Sequence, residues 1–145
     1  MPIFAEVYNA GMPNVDCVFV VDDDDAARNG LARLLRIAGH DVRAFASANQ
    51  FLEALSTEEC GCVVLDSRMP GISGRNLKEE LTSRGVRLPI IVVTADDDDE
   101  TRREAKEMGA AGFFRKPVVG KAMIHVVERA LGENQNSNNV HVNSS

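Results

Sequence analysis

The sequence predicts an α/β fold: a single doubly wound, five-stranded parallel sheet with helices on both faces. Three observations point there. Short apolar runs rich in Val, Ile and Leu recur along the chain without polar interruption, as strands buried on both faces require. Between them, apolar residues return every three or four positions, the period of a helix with one buried face. Strand and helix then alternate regularly from about Val15 to Gly132, the rhythm of a parallel sheet built with right-handed crossovers.

The first strand is Cys17 to Val21. Leu31, Leu34, Leu35 and Ala38 follow i, i+3, i+4, i+7 and give one apolar face to a helix from about Asp25 to Ala38, closed by Gly39. Val42 to Phe45 is a shorter second strand. Ser47-Ala-Asn-Gln50 has the spacing of a capping box and opens a second helix carrying Phe51, Leu52 and Leu55. Cys62 to Leu65 forms the third strand. Leu77 and Leu81 mark the third helix, entered after Gly71 and Gly74 and ended near Gly85. Pro89 to Val93 is the fourth strand.

The segment from Asp97 to Met108 is expected to be a helix of a different kind. Only Ala105 and Met108 are clearly apolar, its acids lie in the first turn, and its bases follow, as the helix dipole favours. A helix that buries so little is held weakly and can move. Gly112 to Phe114 is a short fifth strand, and Met123, Val127, Ala130 and Leu131 mark a last helix stopped by Gly132. Three segments follow: an N-terminal extension (1–14) too poor in apolar residues to be a domain, a body (15–132), and a polar Asn- and Ser-rich tail (133–145) expected to be disordered.

Composition narrows the function. The chain of 145 residues has a formal charge of −6, which argues against direct nucleic-acid binding through a basic surface. The absence of Trp and the single Tyr argue against a stacking surface for single strands. Cys17, Cys60 and Cys62 are an odd set without Cys-x-x-Cys spacing or a nearby His, and read as small buried residues of a reducing compartment. No apolar run approaches the roughly 18 residues needed to span a bilayer, and no secretory signal is visible, so the expectation is a cytoplasmic protein without membrane association. The acid is uneven: eight of eleven aspartates lie in two runs, Asp22 to Asp25 and Asp96 to Asp99.

Ligands of an open parallel sheet bind outside the carboxyl ends of its strands. The first strand here runs into Asp22 and Asp23, and the third ends at Asp66. The fourth ends at Thr94, followed by Ala95, and the fifth at Lys116-Pro117. Three carboxylates, a hydroxyl and an ammonium are thus expected on one sheet edge, whereas the second strand ends in Phe45 and Ala46, away from the site. Three ionised carboxylates in one place repel one another unless a cation is supplied. Lys116 supplies one charge, and a hard divalent ion would supply two more. Ligands that are all oxygen select Mg²⁺, Mn²⁺ or Ca²⁺, and such a partly hydrated site suits phosphoryl groups, which a carboxylate can attack to form an aspartyl phosphate. In the acidic runs, Asp24 and Asp25 read as a helix start, as do most of Asp96 to Asp99. Asp96, two residues past Thr94, is placed to line the entrance to the site.

Four stretches now carry a resemblance: Val-Val-Asp22-Asp23-Asp24, Val-Val-Leu-Asp66-Ser-Arg-Met-Pro-Gly-Ile-Ser-Gly74, Ile-Ile-Val-Val-Thr94-Ala, and Gly109-Ala-Ala-Gly-Phe113-Phe-Arg-Lys116-Pro117. In this order, each at a strand end, they resemble the receiver domain of two-component response regulators, and most closely receivers of transcriptional regulators. The resemblance covers about Val15 to Leu131. It implies a flavodoxin-like fold with strand order 2-1-3-4-5. It implies that Asp66 is the phosphoacceptor, that Asp23, Asp66 and the backbone carbonyl of Arg68 ligate Mg²⁺ (or Mn²⁺), and that Asp22 acts through a bound water. Lys116 would pair with Asp66 and then with the phosphoryl oxygens across a cis Lys116-Pro117 bond. Thr94 would carry its hydroxyl to the phosphoryl group, Ala95 would leave it room, and Phe113 takes the position of the switch aromatic.

The function this implies is not an enzyme's but a signalling receiver's. It would take a phosphoryl group from a sensor histidine kinase or a histidine phosphotransfer protein onto Asp66 and change shape. The face of the fourth helix, fifth strand and last helix is the candidate output or homodimer surface. The alternative is a receiver-like interaction module that binds a partner without phosphorylation. A haloacid-dehalogenase-type phosphatase also uses a strand-end Asp, but wants a second Asp two residues on, where this chain has Arg68. Neither nucleotide-binding glycine loop is present.

Overall fold

The computed structural model of the chain describes residues 16–69, 71–95 and 99–143, with side chains to residue 132. The N-terminal extension (1–14) and Asp96 lie outside the described residues. Five strands form one parallel sheet: β1 (Cys17–Val21), β2 (Asp41–Phe45), β3 (Gly61–Asp66), β4 (Ile90–Thr94) and β5 (Gly112–Arg115). Their order is β2-β1-β3-β4-β5. Five helices connect or follow them: α1 (Asp25–Ile37), α2 (Ala48–Ala54), α3 (Gly74–Ser83), α4 (Asp99–Glu107) and α5 (Gly120–Asn143). Among the described residues, no helix is long and apolar enough to cross a membrane.

Burial explains the order. β1, β3 and β4 are buried at every residue, whereas β2 and β5 keep partly exposed positions and lie at the two edges. Alternate side chains feed two cores. Phe19, Val63, Leu65 and Val92 pack on one face with Phe51, Leu77, Leu81 and Met108; Val18, Val20, Val64 and Ile91 pack on the other with Leu35, Met123 and Val127. At about 1.5–3 kcal/mol for each large side chain buried, these two layers hold the sheet against the helices.

The helix starts follow their caps. Asp24 accepts from the Ala27 N–H at 3.3 Å, Ser47 from Gln50 at 3.1 Å and Ser73 from Asn76 at 3.1 Å. The capping box at Ser47 is altered, because Gln50 Oε1 accepts from the N–H of Ala46 rather than of Ser47. The face of α1 is also rotated from expectation. Ala32 and Leu35 are buried, Leu31 and Leu34 half-buried, and Ala38 is exposed. Ala38 has already become the C-cap, one residue before Gly39 turns the chain at φ +99°.

Gly132 does not stop the last helix, whose backbone stays helical to Asn143. A glycine inside a helix costs only about 1 kcal/mol, too little to end one by itself. The weakly buried helix, in contrast, is as expected: within α4 only Ala105 is buried. Its far end is tethered to α3, where Lys78 Nζ donates to the Met108 carbonyl and Arg75 pairs with Glu107 at 2.5 Å.

Candidate functional site: an acidic pocket at the strand ends

Strand order reverses at β1, which has β2 on one side and β3 on the other. The crevice beyond those two strand ends is where such a sheet offers a site. Asp22 follows β1 and Asp66 closes β3, and their residues are only 6% and 7% exposed. Asp23, one residue further out, is exposed. A carboxylate oxygen from each of Asp22, Asp23 and Asp66 lies within 4.8 Å of the others, the one group among the described residues that could hold a metal ion.

Their hydrogen bonds show how they are held. Asp22 Oδ1 accepts from the Asp24 N–H at 3.0 Å, and Asp66 Oδ1 from the Arg68 N–H at 3.2 Å. Lys116 reaches in from the end of β5 and bridges the two buried acids, with Nζ 3.1 Å from Asp22 Oδ2 and 3.6 Å from Asp66 Oδ2. The resemblance pairs it with Asp66; in the structure it donates to Asp22 and stands slightly further from Asp66. Its own N–H donates to the Thr94 carbonyl at 2.8 Å, which locks the ends of β4 and β5 together. The Lys116-Pro117 bond is cis.

The charges do not balance. Burial pushes the Asp66 carboxyl above the usual range, and the neighbouring Asp22 pushes the same way. The Arg68 N–H and the Lys116 ammonium oppose them without prevailing. Burial works against the Lys116 charge, yet the two carboxylates outweigh it and hold its pKa above the ordinary lysine value. One ammonium among three carboxylates leaves a deficit of positive charge. The donors are all oxygen, so the set fits a hard divalent cation rather than zinc or copper.

Thr94, the last residue of β4, is fully buried. Phe113 is half-buried on β5 against the core face that holds Ala105 and Met108, and the Arg102 guanidinium of α4 lies 5.5 Å from its ring centroid. Arg68 is exposed. A mostly apolar cavity of about 510 Å³ opens beside the acids, lined by Leu31, Leu34, Pro117 and Val118 and reaching Asp22, Asp66 and Lys116. The cysteines stay outside all of this. They are free thiols, and burial pushes Cys17 up to about 11 and Cys62 to about 12, so neither is a thiolate at neutral pH.

Two residues were not singled out by sequence. Arg102 reads as one more charge on a polar helix, and nothing local marks its contact with Phe113. Ser67 reads as part of a motif, yet its hydroxyl is buried and has no hydrogen-bond partner among the described residues.

Comparison with known proteins agrees with this geometry. The profile of the response regulator receiver domain matches residues 18–128. The transcriptional regulatory protein FixJ of Azorhizobium caulinodans is 44% identical over 121 residues, covering 83% of this chain and 57% of that protein. TdiR of Thauera aromatica, also a transcriptional regulatory protein, is 40% identical over 122 residues, covering 84% and 54%. The chain thus spans little more than half the length of these curated relatives. Among solved structures, response regulator StyR superposes with a TM-score of 0.81 at 40% identity, covering 90% of this chain and 66% of that one. FixJ-N superposes with a TM-score of 0.74 at 34% identity, covering 82% and 95%.

Proposed function

This chain belongs to the response regulator receiver domain family, and from that premise we propose that its acidic pocket accepts a phosphoryl group on Asp66. The donor is the phosphohistidine of a sensor histidine kinase or a histidine phosphotransfer protein. A carboxylate oxygen of Asp66 attacks phosphorus, the phosphorus–nitrogen bond breaks, and the imidazole keeps the electron pair and takes up a proton. The observation that carries the reading is the meeting of the Asp22, Asp23 and Asp66 carboxylates, with Lys116 bridging the two buried ones.

Asp23, Asp66 and the Arg68 carbonyl would hold Mg²⁺ or Mn²⁺, with Asp22 acting through a water. The bound ion supplies positive charge where the transferred oxygens gather. Lys116, held between two acids, exchanges a carboxylate partner for a phosphoryl oxygen. Thr94 follows with its hydroxyl, and Phe113 turns on the space it leaves. Phosphorylation adds about −1.5 to −2 of charge at one point, and α4, which buries only Ala105, is the element that yields most easily. Its face with β5 and α5 is the output or homodimer surface. The body of the receiver is 15–132, and its place of action is the cytoplasm. The charge argument against nucleic acid concerns these 145 residues alone, because the relatives are transcriptional regulatory proteins of greater length.

Acetyl phosphate with Mg²⁺ should add about 80 Da to the intact chain, and nothing to Asp66→Asn. An unmodified chain, beside a control receiver that is labelled, would sink the proposal, as would labelling that survives Asp66→Asn. A module that binds partners without phosphorylation has no need of a complete acidic set with its lysine.

A further inference from the structure

We propose that Ser67 is a positioning residue for Thr94, donating its hydroxyl proton to Thr94 once Thr94 has turned to a phosphoryl group on Asp66. The inference rests on the phosphorylation proposed above and adds a partner that its usual site residues do not include. The first observation is the ladder. Asp66 pairs with Val93, and the Ser67 N–H donates to the Val93 carbonyl at 2.8 Å, so the β3–β4 pairing runs one residue further and sets Ser67 opposite Thr94. The second is the alternation of faces. Val63 and Leu65 of β3 and Ile90 and Val92 of β4 all enter the same core; carried along β4 to Thr94 and one residue past the end of β3 to Ser67, the same alternation assigns both hydroxyl residues to that face. Neighbouring strands lie about 4.8 Å apart, so two hydroxyls at one register need only side-chain rotation to meet.

The third observation is the hydroxyl itself. Ser67 Oγ is out of solvent and has no hydrogen-bond partner among the described residues. A buried hydroxyl without a partner destabilises the state that contains it. Alanine or valine would fill the position without that cost, so packing alone gives no reason for serine. Phosphorylation provides one. In the switched state Thr94 gives its single O–H to a phosphoryl oxygen, and a hydroxyl oxygen that donates can still accept from a second donor. Ser67 is the hydroxyl placed to fill that role. The chain Ser67 to Thr94 to phosphoryl oxygen then runs in one direction, and each bond polarises the next. A bond made only in the switched state shifts the population toward it.

The signature is a pair of effects of opposite sign. In Ser67→Ala, the urea midpoint of the unphosphorylated chain should be unchanged or higher. After acetyl phosphate and Mg²⁺, with the adduct on Asp66 equal by intact mass, the switched-to-unswitched ratio should fall roughly two- to tenfold. That ratio is read from the backbone amide shifts of Phe113 and Ala105. Ser67→Thr, which keeps a hydroxyl, should restore it. A lower urea midpoint in Ser67→Ala would mean the hydroxyl already has a ground-state partner and would overturn the proposal. Undiminished switching at equal adduct would overturn it while leaving phosphorylation standing. Absence of any adduct on the unsubstituted chain would end both.

Discussion

Lys116 stands 3.1 Å from one buried carboxylate and 3.6 Å from another, and it still leaves the pocket short of positive charge. Asp23 is where that shortage can be tested gently, because it is exposed and its removal leaves no buried partner stranded. With metal removed by chelator, Asp23→Asn should be about 0.5 kcal/mol more stable than the unsubstituted chain, since one like charge is gone. With Mg²⁺ at 100 times its dissociation constant, the unsubstituted chain should gain about 2.7 kcal/mol that the variant does not. Urea midpoints with and without Mg²⁺ check both signs, and equal Mg²⁺ responses would mean that Asp23 does not ligate the ion. That these acids would meet was legible in sequence, because a charged residue ending an apolar strand has one place to go in a parallel sheet. Lys116's preference for Asp22 was not. Side-chain choice between two acceptors depends on distances of a few tenths of an ångström.

Elements carry a different constraint. At Gly61, where β3 starts beside β1, φ is +138° and an added Cβ would lie 1.8 Å from the Cys17 carbonyl oxygen. Neither backbone can give way, because Cys17 N–H donates to the Cys60 carbonyl at 2.9 Å and the strands pair on both sides. Gly61→Ala should therefore cost about 4 kcal/mol or more, in the range reserved for backbone strain and overpacking. Chemical denaturation would show it, and a loss under 1 kcal/mol would mean the strand start can relax. In the sequence this glycine looks like a loop residue before a strand. Its close approach to β1 belongs to a neighbour 44 positions away. Helix ends also depart from local propensity. Propensity stops α5 at Gly132 and carries α1 to Ala38, whereas the α5 backbone continues to Asn143 and α1 turns off with Ala38 as its C-cap.

For the molecule as a whole, the two cores fold thiols away from water, and that gives stability a dependence on pH. Burial raises Cys17 to about 11 and Cys62 to about 12, above the ordinary thiol near 9. The folded chain holds these protons where the unfolded chain has released them, so the stabilising contribution is complete below about pH 9. It is lost progressively as pH climbs through the two folded values. Denaturation at pH 8 and pH 10.5 should show a steeper alkaline loss in the native chain than in the Cys17→Ala, Cys62→Ala double variant. Parallel slopes would show that the thiols are not shielded.

At this scale the division between sequence and tertiary structure is plain. The alternation of apolar runs and helical periods, read alone, determined the α/β class and the strand ends that carry Asp22, Asp66, Thr94 and Lys116, because period and sequence order are local properties of the chain. Which strand end lies beside which was decided only when strands distant in sequence came into register. Ser67 and Thr94 are 27 residues apart, and the Ser67 N–H reaches the carbonyl of Val93, the neighbour of Thr94, because β3 and β4 pair in parallel. The Ser67 hydroxyl is out of solvent only in the folded chain, and no reading of local sequence can count the partners of a buried atom.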